Sequence, residues 1–158
     1  MKQQSFSDIE YANRRRKTRR EIFLDSMNEI IPWSQWVETI RPYYYKSRRG
    51  RKPKDLEVML RMYLMQTWYR LSAEGMEEAV YDSYAMRSFL GINFIDEQVP
   101  DATTLLRFRR LLERHGLDKT LRRELDALLD GAGLIMHGGT ITDASLRAIS
   151  AVDTKPEK

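Results

Sequence analysis

Thr103, Arg107, Arg110 and Arg114 recur at i, i+4, i+7 and i+11, the spacing of one face of an α-helix. Leu105, Phe108 and Leu112 recur at i, i+3 and i+7 on another face of the same segment. A helix that buries Leu and Phe while presenting arginines has the chemistry of a major-groove reader. Arginine bonds O6 and N7 of guanine bidentately, and short hydroxyls near the helix start, here Thr103 and Thr104, reach phosphates or base edges. An ordinary amphipathic surface helix with a charged outer face fits the spacing equally well.

A second chemistry lies in concentrated positive charge. The net charge is only +4, yet residues 1–20 carry seven Lys/Arg against Asp8 and Glu10, and residues 41–54 carry seven Lys/Arg and no acid. The remainder of the chain is therefore acidic. Fields this local attract polyanions. The candidate phosphate contacts are Arg14, Arg15, Arg16 and Lys17 in the first segment, and Arg48, Arg49, Arg51 and Lys52 in the second. The plainer alternative is a pair of solvated tails. A membrane-surface helix would need an apolar face inside the basic stretch, and residues 12–20 have none. Nucleic acid, DNA or RNA, is the better-matched partner. Tyr43, Tyr44 and Tyr45 precede the second cluster; they serve stacking if the nucleic acid is partly single-stranded, and core packing otherwise.

Asp143 is the third candidate. Asp is depleted from strands, yet this one sits in the β-branched run Thr140-Ile141-Thr142-Asp143 after a glycine pair. It reads either as a carboxylate presented to Mg²⁺ or as a turn residue.

The elements that must position these groups are helices. Thr18 to Ile31 is periodic and ends at Pro32; Trp33 to Ile40 forms a shorter piece stopped at Pro42. Tyr43 to Pro53 reads as a basic, aromatic loop, with Pro53 in the first turn of the next helix. That helix carries Leu56, Met59, Leu60, Tyr63, Leu64, Thr67, Trp68 and Leu71 in helical register. A second row of Val58, Met62, Met65 and Tyr69 lies beside it. Only Glu57, Arg61, Gln66 and Arg70 make a polar strip, which places this helix at the centre of the core. Ser72 caps a helix through Tyr84, a further turn ends at Gly91, and residues 92–100 are a loop. Asp101 caps the arginine-bearing helix, Gly116 stops it, and Leu117 to Asp130 is the last helix, ended by Gly131-Ala132-Gly133. The region 73–90 would be the supporting helix of a helix-turn-helix, with a connection longer than the usual tight turn. Gly139 to Leu146 reads as a strand.

Composition narrows the classes. Without cysteine there are no disulfides or thiolate metal sites, and two histidines cannot make a histidine-rich cluster. No apolar run approaches the roughly 20 residues of a bilayer span. Met1-Lys2-Gln3-Gln4 is followed by no apolar signal region, so a cytoplasmic location is expected.

Several strings resemble transposases of the group named after insertion sequence five: Thr18-Arg19-Arg20-Glu21-Ile22-Phe23-Leu24, Ile31-Pro32-Trp33, Gly50-Arg51-Lys52-Pro53 and Gln66-Thr67-Trp68-Tyr69-Arg70-Leu71-Ser72. So do Met76-Glu77-Glu78-Ala79, Pro100-Asp101-Ala102-Thr103-Thr104 with Phe108-Arg109, and Gly139-Thr140-Ile141-Thr142-Asp143-Ala144-Ser145. The resemblance runs in order over roughly residues 15–146. It implies an all-α DNA-binding domain over residues 1–132, helix-turn-helix-like, that binds the terminal inverted repeats of its element. It implies over 133–158 the start of a truncated RNase-H-like domain, whose Asp-Asp-Glu triad holds two Mg²⁺ ions. By position Asp143 matches the first catalytic carboxylate. A homo-oligomer, or association with intact transposase, is compatible with that reading.

The chain departs from the family after Leu146. It runs Arg147-Ala148-Ile149-Ser150, and the second Asp and the Glu have no counterpart in its 158 residues. No stably bound metal is expected in such a fragment. A free-standing helix-turn-helix regulator of transcription is the alternative reading; it has no use for a strand-borne Asp after its last helix. The two-metal mechanism needs several acids to fix its ions, and Mg²⁺ held by one carboxylate keeps most of its water. The purified chain, incubated with a labelled element end and Mg²⁺ or Mn²⁺, should therefore bind without nicking, and Asp143→Ala should change nothing. Metal-dependent nicking abolished by Asp143→Ala would contradict this expectation.

Overall fold

The computed structural model describes residues 6–45 and 52–133. Among them are eight helices and no strand: α1 (Phe6–Ala12), α2 (Arg19–Ile30), α3 (Trp33–Tyr44), α4 (Leu56–Tyr69), α5 (Ala73–Asp82), α6 (Tyr84–Leu90), α7 (Ala102–Arg114) and α8 (Leu117–Gly131). The all-α expectation holds over this span, and the strand expected at 139–146 lies outside the described residues.

The sequence of α4 dictates the arrangement. Leu56, Met59, Leu60, Met62, Tyr63, Leu64, Met65 and Trp68 are all buried, and so is Gln66 of the polar strip, so apolar groups leave it in nearly every direction. A helix of that kind must be surrounded. The helices α3, α5, α6 and α7 pack directly on it. Phe23 of α2 meets the Trp68 ring edge-on at 5.4 Å, a favoured aromatic geometry. The methionines of this core, Met27, Met59, Met62, Met65, Met76 and Met86, are packing residues, each essentially without solvent exposure.

The polar strip of α4 is only partly wet. The Arg61 guanidinium lies 4.0 Å from the Trp33 ring and 4.9 Å from that of Phe89. It also pairs with Glu57 at 3.0 Å and donates to the Phe89 carbonyl at 3.0 Å. A buried cation is tolerable when it is paired and its donors are used. Arg61 thereby ties α4 to α3 and α6.

Side-chain caps set most boundaries. Thr18 and Glu21 form a reciprocal capping box at the start of α2. Ser72 caps α5 through the Gly75 N–H, Ser83 caps α6 through Met86, and Asp101 caps α7 through Thr104. Gly116, at φ 66°, reverses the chain between α7 and α8 in a conformation that glycine adopts without steric cost.

Three boundaries correct the sequence reading. Pro42 does not stop α3, which continues to Tyr44 with Pro42 inside it. Near a helix end proline forfeits one hydrogen bond, and the burial of Tyr43 and Tyr44 against the core outweighs it. Tyr43 and Tyr44 thus belong to α3 rather than to the basic loop, and both pack on the core as one of the two readings for them required. Pro53 precedes the first turn of α4 rather than lying in it, because Asp55 accepts a hydrogen bond from the Val58 N–H at 3.1 Å and begins the helix there. The segment from Ser72 to Tyr84 is not one helix. It breaks at Ser83, which ends α5 and caps α6 at once.

The first helix, α1, buries none of its residues and is held by polar and aromatic contacts. Tyr11 stacks on Tyr84 at 3.8 Å, and the Tyr84 hydroxyl donates to Asp8 at 2.6 Å. Burial, reinforced by the Asp8 carboxylate, pushes the Tyr84 phenol up to about 12. Burial likewise pushes Tyr69 up to about 12, against the opposing charge of Arg20. A group whose pKa is raised on folding contributes fully below its unfolded value, about 10 for tyrosine, and the contribution disappears as pH rises through the folded value. Stability should therefore decline between about pH 10 and about pH 12, with the last phenols ionising only as the helical signal collapses, and Tyr84→Phe should shallow the decline. Ionisation of every tyrosine near pH 10 with helicity intact would contradict it.

Candidate nucleic-acid interface

The inner face of α7 is fixed first. Leu105, Phe108 and Leu112 are buried, and Phe108 lies between Tyr44 of α3 at 5.8 Å and Tyr63 of α4 at 6.2 Å, edge-on to both. This anchoring leaves the opposite face in water. Thr103, Arg107, Arg110 and Arg114 are all exposed. Arg109, by contrast, pairs with Glu113 at 3.2 Å. Among the described residues Arg107, Arg110 and Arg114 form no ion pair, so their guanidiniums can meet a polyanion without breaking one. Leu106 shares this face and is 39% exposed. The sequence reading passed over it; an apolar side chain among arginines has the chemistry to meet a thymine methyl.

The start of α7 carries a negative charge of its own. Asp101 accepts the Thr104 N–H at 2.7 Å. The backbone N–H and hydroxyl of Thr104 hold its carboxyl below the usual range, helped by the charges of Arg107 and Lys54. Thr104 is therefore committed to the cap, while Thr103 faces solvent.

The described end of the basic segment, Lys52 to Lys54, lies beside this helix. The Tyr44 hydroxyl donates to the Lys54 carbonyl at 2.5 Å, tethering the end of the loop to the end of α3. Lys52, Lys54, Thr104 and Arg107 consequently line one cleft of about 460 Å³, together with Tyr44, Tyr81 and Asp101. The fold thus joins two candidates that are distant in sequence, Lys52 and Arg107, and adds Lys54. Arg48, Arg49 and Arg51 lie outside the described residues, as does Asp143.

The first basic cluster divides. Arg14 donates to Glu21 at 2.6 Å and to the Tyr11 carbonyl at 2.8 Å, with its guanidinium 4.3 Å from the Tyr11 ring. It links α1 to α2. Lys17 pairs with Asp25 at 2.9 Å. Arg15 and Arg16 are exposed.

Elsewhere the surface opposes a polyanion. A cleft of about 510 Å³ is lined by Glu21, Asp25, Asp55, Glu57 and Glu97, with Arg61 the one basic side chain lining it among the described residues. Among the described residues no group of three or more His, Asp or Glu is placed to hold a metal ion, and no helix is long and apolar enough to cross a membrane. The supporting helix also differs from the sequence expectation. The helix packed against α7 from the 73–90 region is α5, and α6, which sits on α2 and α4, intervenes in the chain. The connection from α5 to α7, which runs through α6 and a loop, is longer than the usual tight turn.

A family model for a transposase domain, DUF772, matches residues 11–111. The chain belongs to that transposase-domain family. The match runs from Tyr11 in α1 to Leu111 in α7, so this domain takes in Arg14–Lys17, the basic loop, and Thr103 through Arg110. No solved structure matches the chain.

Within the transposase domain, the internal and outward arginines should separate by experiment. Arg14→Ala removes a partly buried charge partner of Glu21 and should lower unfolding stability by about 1 kcal/mol. Arg15→Ala and Arg16→Ala should leave the denaturation midpoint within about 0.5 kcal/mol of wild type. Equal stability of all three variants in urea would show that Arg14 does not secure α1.

Proposed function

We propose that this chain is the DNA-binding part of an insertion-sequence transposase of the group named after insertion sequence five, and that it binds the terminal inverted repeats of its element. One observation carries the reading: the face of α7 opposite its buried stripe presents Thr103, Arg107, Arg110 and Arg114 to solvent, with no arginine of that stripe in an ion pair among the described residues. Arg109, off that face on the same helix, is instead paired with Glu113.

In this reading α7 enters the major groove. Lys52 and Lys54, with the loop arginines Arg48, Arg49 and Arg51, and Arg15 and Arg16 near the start of α2, neutralise flanking phosphates. Phosphate contacts fix register and base contacts supply specificity. The membrane is not a partner, and Mg²⁺ belongs to the catalytic chemistry to which Asp143 would contribute one carboxylate.

The two classes of contact respond differently to salt and to mutation. If about six phosphates are neutralised, affinity for duplex DNA should fall roughly 10³-fold or more between about 50 and about 200 mM salt. Arg107→Ala or Arg110→Ala should cost about 1–3 kcal/mol on the preferred site and relax choice at particular base pairs. Arg15→Ala and Arg16→Ala should weaken all sequences alike. A flat salt response in gel-shift titrations would remove the DNA-binding reading. Equal weakening of specific and random duplexes by Arg107→Ala and Arg110→Ala would reduce α7 to a backbone clamp.

A further inference from the structure

The one acid at the start of the arginine helix has no evident place on a surface that follows phosphates. Asp101 is exposed, and its Oδ1 accepts the Thr104 N–H at 2.7 Å. It lines the same cleft as Lys52, Lys54 and Arg107. A helix N-terminus otherwise favours an anion such as phosphate, but here the carboxylate occupies that position. A DNA phosphate approaching the start of α7 would meet like charge.

The cap alone does not require an acid. Ser and Asn cap about as well as Asp, and this chain uses Ser72 and Ser83 for the purpose as well as Asp55. A carboxylate has about four acceptor directions, and Thr104 uses only part of that capacity, leaving acceptor capacity on an exposed group. In the major groove the base-edge group that presents a donor and no neighbouring acceptor on its own base is the N4 amino group of cytosine, and Asp and Glu are its matching side chains. The residues at the start of a recognition helix are those that reach base edges.

We infer that Asp101 is a specificity residue, accepting a hydrogen bond from a cytosine amino group in the major groove while it caps α7. The inference rests on the reading of α7 as the helix that enters the groove. The carboxylate rejects bases that present only acceptors at that position, and it keeps the helix start away from the phosphate backbone. Arg107, in the second turn of the same helix, reads a neighbouring base pair.

The test uses the full 158-residue chain and a pool of duplexes with a randomised segment, from which wild type, Asp101→Asn, Asp101→Ser and Arg107→Ala each select preferred sequences. Asn and Ser preserve the cap, so melting temperatures of both Asp101 variants should stay close to wild type. In both, the preference for cytosine at one position should fall about ten-fold, with the other positions retained. Arg107→Ala should lose preference at a different position.

Selected sequences unchanged in both Asp101 variants, while Arg107→Ala alters one, would show that Asp101 is a cap alone and overturn the inference while sparing the reading of α7. Stronger binding of every sequence by both Asp101 variants would place the carboxylate against phosphate, and would overturn it too. No change in any variant, Arg107→Ala included, would remove α7 from the groove and the inference with it.

Discussion

The structure depends on one helix that has almost no side to give to water. Along α4, Leu56, Met59, Leu60, Met62, Met65 and Trp68 are each at most 2% exposed, and covering them requires neighbours on all sides. Burying such side chains is worth roughly 1.5–3 kcal/mol each, so the positions of α3, α5, α6 and α7 follow from that need. Arg61 answers the same constraint in polar terms. Its charge sits between aromatic faces and is paired with Glu57, which lets a cation remain where the packing leaves little water. The consequence for function is positional. Once Leu105, Phe108 and Leu112 are set against this core, the direction of the opposite face of α7 is fixed.

Charge is sorted by what each cation already holds. Arg14, Arg61 and Arg109 are engaged with Glu21, Glu57 and Glu113 and serve the fold. Arg107, Arg110 and Arg114 are held by no carboxylate among the described residues and face outward, Arg107 beside Lys52 and Lys54. The acids gather around another cleft, where Glu21, Asp25, Asp55, Glu57 and Glu97 lie together. Such a separation gives a molecule with net charge of only +4 a preferred orientation toward a polyanion, because the local field rather than the total governs approach.

Much of this was legible in the residues, and the exceptions have physical causes. The caps Ser72 and Asp101 and the stop at Gly116 could be read because each is a local hydrogen-bonding or dihedral requirement. The buried stripe of α7 and the central place of α4 could be read because periodicity records burial. Pro42 misled because the rule for proline is local, whereas the packing of Tyr43 and Tyr44 that carries α3 past it is tertiary. The helix α1 left no periodic signal, since it buries nothing and is held by Tyr84, seventy-six residues from Asp8. The partition of Arg14 from Arg15 and Arg16 was invisible for the same reason: adjacent identical side chains differ only in what the fold brings beside them. The joining of Lys52 and Lys54 to Arg107 depends on the Tyr44–Lys54 hydrogen bond, which no local pattern announces.

The central claim is that DNA meets the outward face of α7 and the adjoining lysines, and avoids the acidic cleft. Amide chemical-shift mapping of the isotopically labelled chain during titration with duplex DNA tests it directly. The account predicts that shifts concentrate in residues 101–114 and in Lys52 and Lys54, while the amides of Asp25, Asn28 and Glu57 around the acidic cleft stay in place. Perturbations centred on that cleft, with Thr103, Arg107 and Arg110 unmoved, would contradict it.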